Sequence, residues 1–165
     1  MKFYVGDFNA IEARVVAWLA GEDKLLNLFR SGVDPYCDMA AKIYGYPVNK
    51  EMKTERFAGK SAVLGCGYQM GPPKFAGTYG IALELAEVAV EKYRSTYTRI
   101  VKMWKQQEFA AKQAVLNVGQ VFTVGYVSWY MDADFLICEL PSGRLMAYYK
   151  PRVEIKKTSW GEDKM

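Results

Sequence analysis

The sequence predicts an α+β protein in which a helical insertion crosses between parts of one antiparallel sheet. Three observations predict it. A short strand-prone segment, Lys2 to Asp7, opens the chain. Helical periodicity punctuated by Gly and Pro runs from about Ala10 to Asn117. From Gly119 the period changes, and several short strands separated by turn residues follow.

Taken in order, Phe3, Tyr4 and Val5 favour a strand, and Asp7-Phe8-Asn9 breaks it. Asn9 is the expected N-cap of a helix from about Ala10 to Ala20, closed by Gly21. Ile11, Val15, Val16 and Leu19 give that helix an apolar face. A short helix, roughly Asp23 to Phe29, comes next. Asp34 is placed to cap a helix from Pro35 to Tyr44, with Pro35 at its first position, and Gly45-Tyr46-Pro47 stops it. A basic helix from about Asn49 to Gly67 precedes Gly71-Pro72-Pro73, which starts a helix ending near Gly80. The run from Ala82 to Asn117 is helical and long enough to contain a break. Tyr93, Tyr97, Ile100, Val101 and Trp104 make one buried stripe along it.

Val121 to Val124, Val127 to Met131 and Asp134 to Leu140 read as strands. Pro141-Ser142-Gly143 is a turn, Leu145 to Tyr149 returns as a hairpin partner, and Pro151 to Lys156 is a further strand. Lys156 to Met165 has no capping pattern; it reads as a chain cut in mid-domain or as a short tail.

Composition removes several function classes. Hydrophobic residues at 51% and charged residues at 24% are those of a globular domain, which excludes wholesale disorder and collagen-like repeats. There is no histidine, so Ser-His, Cys-His and His-ligated zinc chemistry are excluded within this chain. Cys37, Cys66 and Cys138 are too few and too scattered for a disulfide framework or a zinc ribbon, and read as reduced thiols of a cytoplasmic protein. The start of the chain lacks the apolar core of a signal peptide. No apolar run approaches the roughly 20 residues of a membrane helix, so no membrane partner is expected. The net charge of +4 is compatible with an anionic partner without establishing one.

Two places could carry chemistry. Asp7 stands at the C-terminal end of the expected strand, directly before a helix, where the sheet would hold a metal-binding carboxylate rigid and accessible. A capping or turn role is the other reading of the same residue. Glu12 lies in the helix that follows, where a solvated face is its bland reading. In the basic helix, Arg56, Lys60, Leu64 and Tyr68 recur every four residues. Each step advances about 40° around a helix, so the four form a slowly winding stripe. Two cations, an apolar residue and a phenol suit the phosphates, sugar and base of a nucleoside triphosphate. They equally suit an amphipathic helix with exposed basic residues. Gly65 and Gly67 would let another group approach that helix closely. Gly59-Lys60-Ser61 fails as a phosphate-binding loop because Thr54 occupies the required glycine position. Gly65-Cys66-Gly67 fails as a dinucleotide fingerprint because Met70 does the same and no strand precedes it.

Taken together, the two places resemble a known family. Asp7-Phe8-Asn9-Ala10-Ile11-Glu12-Ala13-Arg14 is similar to motif A of the family A (DNA polymerase I-like) DNA polymerases. Arg56-x3-Lys60-x3-Leu64-Gly65-x2-Tyr68 is similar to their motif B. The segment from Leu28 to Tyr36 resembles what lies between. The similarity runs from near the first residue to roughly Gly80, loosens afterwards, and is greatest to phage-type members. It implies helical fingers inserted between strands of a partial antiparallel palm sheet. Residues 1–20 would be a palm segment with motif A, residues 21–100 the fingers with motif B, and residues 101–165 a helix and returning palm strands.

The resemblance also assigns roles. Asp7, with the carbonyl of Phe8, would bind catalytic Mg²⁺. Glu12 would press on the sugar of the incoming deoxynucleoside triphosphate and exclude a 2′-hydroxyl. Arg56 and Lys60 would hold the triphosphate, with Lys60 stabilising the leaving group. Leu64 would lie beside sugar and base, Tyr68 would guard the templating position, and Arg14 would support the site or the primer-template DNA.

The sequence departs from the family pattern in several places. Leu64 replaces a usual aromatic, Ala10 a common Gln and Gln69 a common Gly, and Tyr36 stands where many members have a phosphate-contacting His. The His-Asp-Glu hairpin of motif C is absent, and Asp132-Ala133-Asp134 reads as turn residues. The expectation is therefore a polymerase fragment that binds triphosphate and DNA but does not polymerise alone. Two other readings stay open: half of a split polymerase completed by a second chain carrying motif C, and a non-catalytic nucleic-acid-binding module. The resemblance places it in the cytoplasm of a bacterium or a phage-infected host.

Overall fold

The computed structural model describes residues 2–154 and the backbone of 156–157 and 163–164. Contacts divide the chain into two units, Met1–Lys102 and Met103–Met165, with the division falling inside one helix. Among the described residues the architecture is α+β, as the sequence predicts: seven helices, then a four-stranded antiparallel sheet.

The first unit is helical. Helix α1 spans Ile11–Ala20 and ends at Gly21 in the left-handed conformation. Helix α2 is Asp23–Arg30 and α3 is Pro35–Tyr44. Asp34 caps α3 as expected, its side chain accepting from the amides of Tyr36 and Cys37 at 2.9 and 3.3 Å. Gly45 closes α3 in the left-handed region. Helix α4 is Lys53–Gly67, later in starting than the sequence predicts. The Asn49 side chain accepts from the amides of Glu51 and Met52, and that turn competes with the first helical turn. Helix α5 is Pro72–Tyr79. The long helical run breaks at Tyr97 into α6, Leu83–Thr96, and α7, Thr98–Leu116. Buried Glu22 accepts from the amide of Arg99 at 2.9 Å and so satisfies one of the orphan donors at the start of α7. Tyr93, Tyr97 and Ile100 are fully buried, with the two tyrosine rings edge to face at 5.1 Å. Val101 and Trp104, the other members of the predicted stripe, are half-buried.

Two expectations at the start of the chain fail. Residues 2–7 form no strand; they are exposed, with Phe3, Tyr4 and Val5 79–95% accessible. Strand propensity there reports a side-chain preference, and a strand also needs a neighbour to pair its backbone groups. None of the described strands supplies one. Asn9 is also not the cap. Ala10 takes that position in the left-handed conformation, with no side-chain capping bond.

In the second unit, β1 is Phe122–Val124, β2 Val127–Asp132, β3 Phe135–Glu139 and β4 Leu145–Tyr149, paired in chain order. Trp129 faces Cys138, which faces Met146, and Leu136 is paired with Tyr148. This face carries the buried Val127, Leu136 and Cys138. Its Trp129 indole donates to Gln107 of α7 at 2.6 Å. Ala133-Asp134 makes the β2–β3 turn, with Asp132 as the last residue of β2, and Pro141-Ser142-Gly143 makes the β3–β4 turn, close to the reading from the sequence. Residues 151–154 are not the expected strand. A small antiparallel pair, Lys156–Lys157 with Asp163–Lys164, follows instead. Ile155, residues 158–162 and Met165, which the reading of the C-terminal segment also covers, lie outside the described residues. No helix among the described residues is long and apolar enough to cross a membrane.

Candidate active site

The site is assembled where α3 meets α4 and where the chain enters α1. Ala58, Gly59, Ser61, Ala62, Val63 and Cys66 are the buried face of α4. Gly59 lets α3 approach closely, since a Cβ there would meet the backbone at Tyr36 and Ala40. Arg56, Lys60 and Leu64 of α4 line one cleft with the segment around Asp7.

The cleft is open, about 450 Å³ in volume. It is lined by residues 7–12, by Tyr36 from α3, and by Arg56, Lys60 and Leu64 from α4. It thus gathers Asp7, Phe8, Glu12, Tyr36, Arg56, Lys60 and Leu64 from three separate stretches of sequence. The Asp7 and Phe8 side chains are exposed, as is Lys60. Among the described residues Lys60 has no hydrogen-bond or ion-pair partner, so its ammonium is available to an anion.

Tyr68 and Arg14 fall outside this cleft. Tyr68 is the C-cap residue of α4 and 69% exposed. With Glu12, Leu64, Ile11, Val15 and Leu19 it lines an adjoining apolar groove of about 350 Å³ between α1 and α4. The neighbouring Glu12 side chain, more than burial, pushes the Tyr68 phenol above its ordinary pKa. Arg14 donates to the carbonyl of Asn9 at 3.0 Å and lies over the Phe29 ring, 4.2 Å from its centroid. It lines a smaller pocket of about 160 Å³ shared with Lys50 and Arg56.

Arg56 is the most constrained of these side chains. Its Nε and Nη2 donate to Oδ2 of Asp34 at 3.0 and 2.8 Å, and its guanidinium lies over the Tyr36 ring at 5.3 Å. Partial burial works against ionisation of Asp34, yet the Arg56 hydrogen bond and the Tyr36 and Cys37 amides outweigh it and hold the carboxyl below its usual range. Asp34 in turn raises the Arg56 pKa. Burial, followed by the charge of Asp34, pushes the Tyr36 phenol up. From the sequence Asp34 reads only as a helix cap; its pairing with Arg56 spans 22 residues and has no local signal.

No cluster of three or more His, Cys, Asp or Glu side chains suited to a metal occurs among the described residues. The cleft offers the carboxylates of Asp7 and Glu12 and nearby main-chain oxygens. Such hard oxygen donors suit a divalent cation of the Mg²⁺ type, which commonly takes one or two carboxylates and completes its shell with other oxygen ligands. The set does not by itself make a two-metal clamp.

Comparison with known proteins identifies relatives. Residues 1–123 match the profile of DNA polymerase family A. The DNA polymerase of Bacillus phage SP02 is 38% identical over 160 residues, which is 93% of this chain and 25% of that protein. DNA polymerase I of Pseudomonas aeruginosa is 28% identical over 70% of this chain and 13% of its own. The thermostable DNA polymerase I of Thermus aquaticus is 29% identical over 59% of this chain and 12% of its own. The chain therefore spans a quarter or less of the length of these relatives.

Proposed function

Since the chain belongs to DNA polymerase family A, we propose that its cleft receives a deoxynucleoside triphosphate as the Mg²⁺ complex, beside primer-template DNA. The observation that carries this reading is the convergence of an exposed carboxylate, Asp7, with two cations, Arg56 and Lys60, on one open cleft. A polyphosphate needs fixed positive charge, and a divalent ion bound to it needs hard oxygen ligands.

In this reading Arg56 and Lys60 hold the phosphates. Lys60, unpartnered and mobile on its four-carbon stem, neutralises charge that develops on the leaving pyrophosphate. Asp7 and the Phe8 carbonyl hold the metal, which when bound activates the primer 3′-hydroxyl for attack on the α-phosphate. Glu12, which lines the adjoining groove with Tyr68, forms a wall against the sugar, and Leu64 covers sugar and base without the stacking an aromatic would add. Arg14 supports the primer-template side. Among the described residues the cleft gathers two carboxylates, Asp7 and Glu12, too few to clamp two metals, so in this reading nucleotidyl transfer requires a further segment carrying motif C, whether in the same polypeptide or in a second one.

The test is a titration of the pure chain with Mg²⁺ and a deoxynucleoside triphosphate, with Lys60→Ala beside it. Weaker binding by the variant is expected. Unchanged binding by Lys60→Ala removes the phosphate assignment. Template-dependent extension by the pure chain, lost in Asp7→Ala, would overturn the requirement for a further segment.

A further inference from the structure

The Asp34–Arg56 pair does more than a helix cap requires. Capping α3 needs one side-chain oxygen, and Asp34 uses Oδ1 for it, accepting from Tyr36 and Cys37. Ser, Asn or Thr would serve that purpose nearly as well. Oδ2 is engaged separately, by two donors of Arg56 from a different helix, and the Tyr36 ring lies against the guanidinium. Arginine has five N–H donors in a rigid fork. With two committed to Asp34, the plane of the fork is set and the remaining donors are left for a ligand in the cleft.

We propose that Asp34 is a positioning residue for the triphosphate: one oxygen fixes the start of α3, and the other holds Arg56 in the orientation that meets the phosphates. The inference rests on the reading of the cleft given above. Ordering a long side chain before the ligand arrives removes part of the entropic cost of binding. The carboxylate is shared with the backbone of α3, so the guanidinium is registered to the helix that also supplies Tyr36. Asp34 touches neither substrate nor metal in this scheme and acts through Arg56.

Asp34→Asn separates the two roles, because Asn caps as well as Asp and lacks the charged acceptor. The ¹⁵N NMR signal of the Arg56 Nε–H reports on positioning in the 165-residue chain without ligand. It is expected as a resolved, exchange-protected signal in the wild type and as an averaged one in Asp34→Asn, while the Tyr36 and Cys37 amides stay protected. Titration with the Mg²⁺–deoxynucleoside triphosphate should then show about tenfold weaker binding in Asp34→Asn, the scale of one charge-assisted hydrogen bond. Arg56→Ala should lose at least as much, and the double variant should lose no more than Arg56→Ala.

An ordered Arg56 signal in Asp34→Asn overturns the proposal. So does wild-type affinity in Asp34→Asn where Arg56→Ala binds poorly. Absence of triphosphate binding by the wild type, with Arg56 released in Asp34→Asn, instead removes the triphosphate assignment and leaves the positioning contact established.

Discussion

Gly59 lies so close to Tyr36 that a Cβ added to it would stand 2.1 Å from the Tyr36 carbonyl oxygen, and 2.8 Å from the Ala40 nitrogen. Both neighbours are backbone atoms of α3, so neither can swing away. The same close approach sets Asp34 and Tyr36 of the α3 start against Arg56 on the preceding turn of α4.

Gly59→Ala therefore tests the packing that builds the cleft. In an exposed helix this change would stabilise by about 1 kcal/mol through helix propensity. Here the methyl must push two helices apart, an overpacking cost of about 3 kcal/mol. The expected net effect is a destabilisation of about 2 kcal/mol in a urea unfolding curve. Gly65→Ala should cost less, because its nearest contact, at 2.8 Å, is the Tyr79 ring, a side chain with freedom to shift. A stabilised Gly59→Ala variant would contradict the helix packing described here.

Ala10 is the second local test. It adopts φ 52°, ψ 37° where the chain turns from the Asp7 segment into α1. An L-residue pays about 1 kcal/mol or more for this conformation, whereas glycine pays mainly through its freer unfolded chain. Ala10→Gly should stabilise by about 0.5 kcal/mol, raising the melting temperature by a degree or two. A drop in melting temperature would show that the left-handed turn is not populated in solution.

These two positions mark the boundary of what sequence alone reveals. Signals carried by adjacent residues were readable: Asp34-Pro35 as a helix start, Gly21, Gly45 and Gly80 as helix stops, and Pro141-Ser142-Gly143 as a hairpin turn. Asp7, Glu12, Arg56 and Lys60 could be singled out because their residue types recur in two compact motifs. Features that depend on distant partners were not legible. The strand expected at residues 2–7 needs a neighbour, the Asp34–Arg56 pair joins two helices, and Gly59 looks like any helix glycine until Tyr36 is placed against it. Asn9 is the favoured cap by residue type, but the left-handed turn at Ala10 moves the cap on by one position.

Asp34 also gives the fold an acid dependence of known sign. Its native pKa is depressed, so its stabilising contribution is present above the unfolded carboxyl value of about 3.9 and is lost as pH falls through the lower native value. Thermal melts of wild type and Asp34→Asn should differ by a few degrees at pH 6, and the gap should narrow as pH falls below the unfolded carboxyl value, closing only below the lowered native one. A gap that is constant with pH would mean that the carboxylate is not charged against Arg56 in the native state.

At the alkaline end the thiol raised furthest is that of Cys66, with Cys37 and Cys138 raised less. The Cys66 thiol is fully buried on α4, and that burial pushes its pKa up to about 12, with nearby Arg94 only partly opposing the shift. In the unfolded chain the same thiol ionises near 8.5. Between these values the unfolded state has released a proton that the native state keeps, so stability falls as pH rises. The loss accumulated by pH 10 is about 2 kcal/mol, from 1.36 kcal/mol per pH unit. Tyr93 and Tyr97, also raised by burial, add to it only above the tyrosine value of about 10. Cys66→Ala should be less stable than wild type at pH 7 because of the volume it removes, yet lose less on going to pH 10. Urea unfolding at pH 7, 8.5 and 10 measures both slopes, and parallel decline in the two proteins would show that Cys66 is accessible to solvent in the native state.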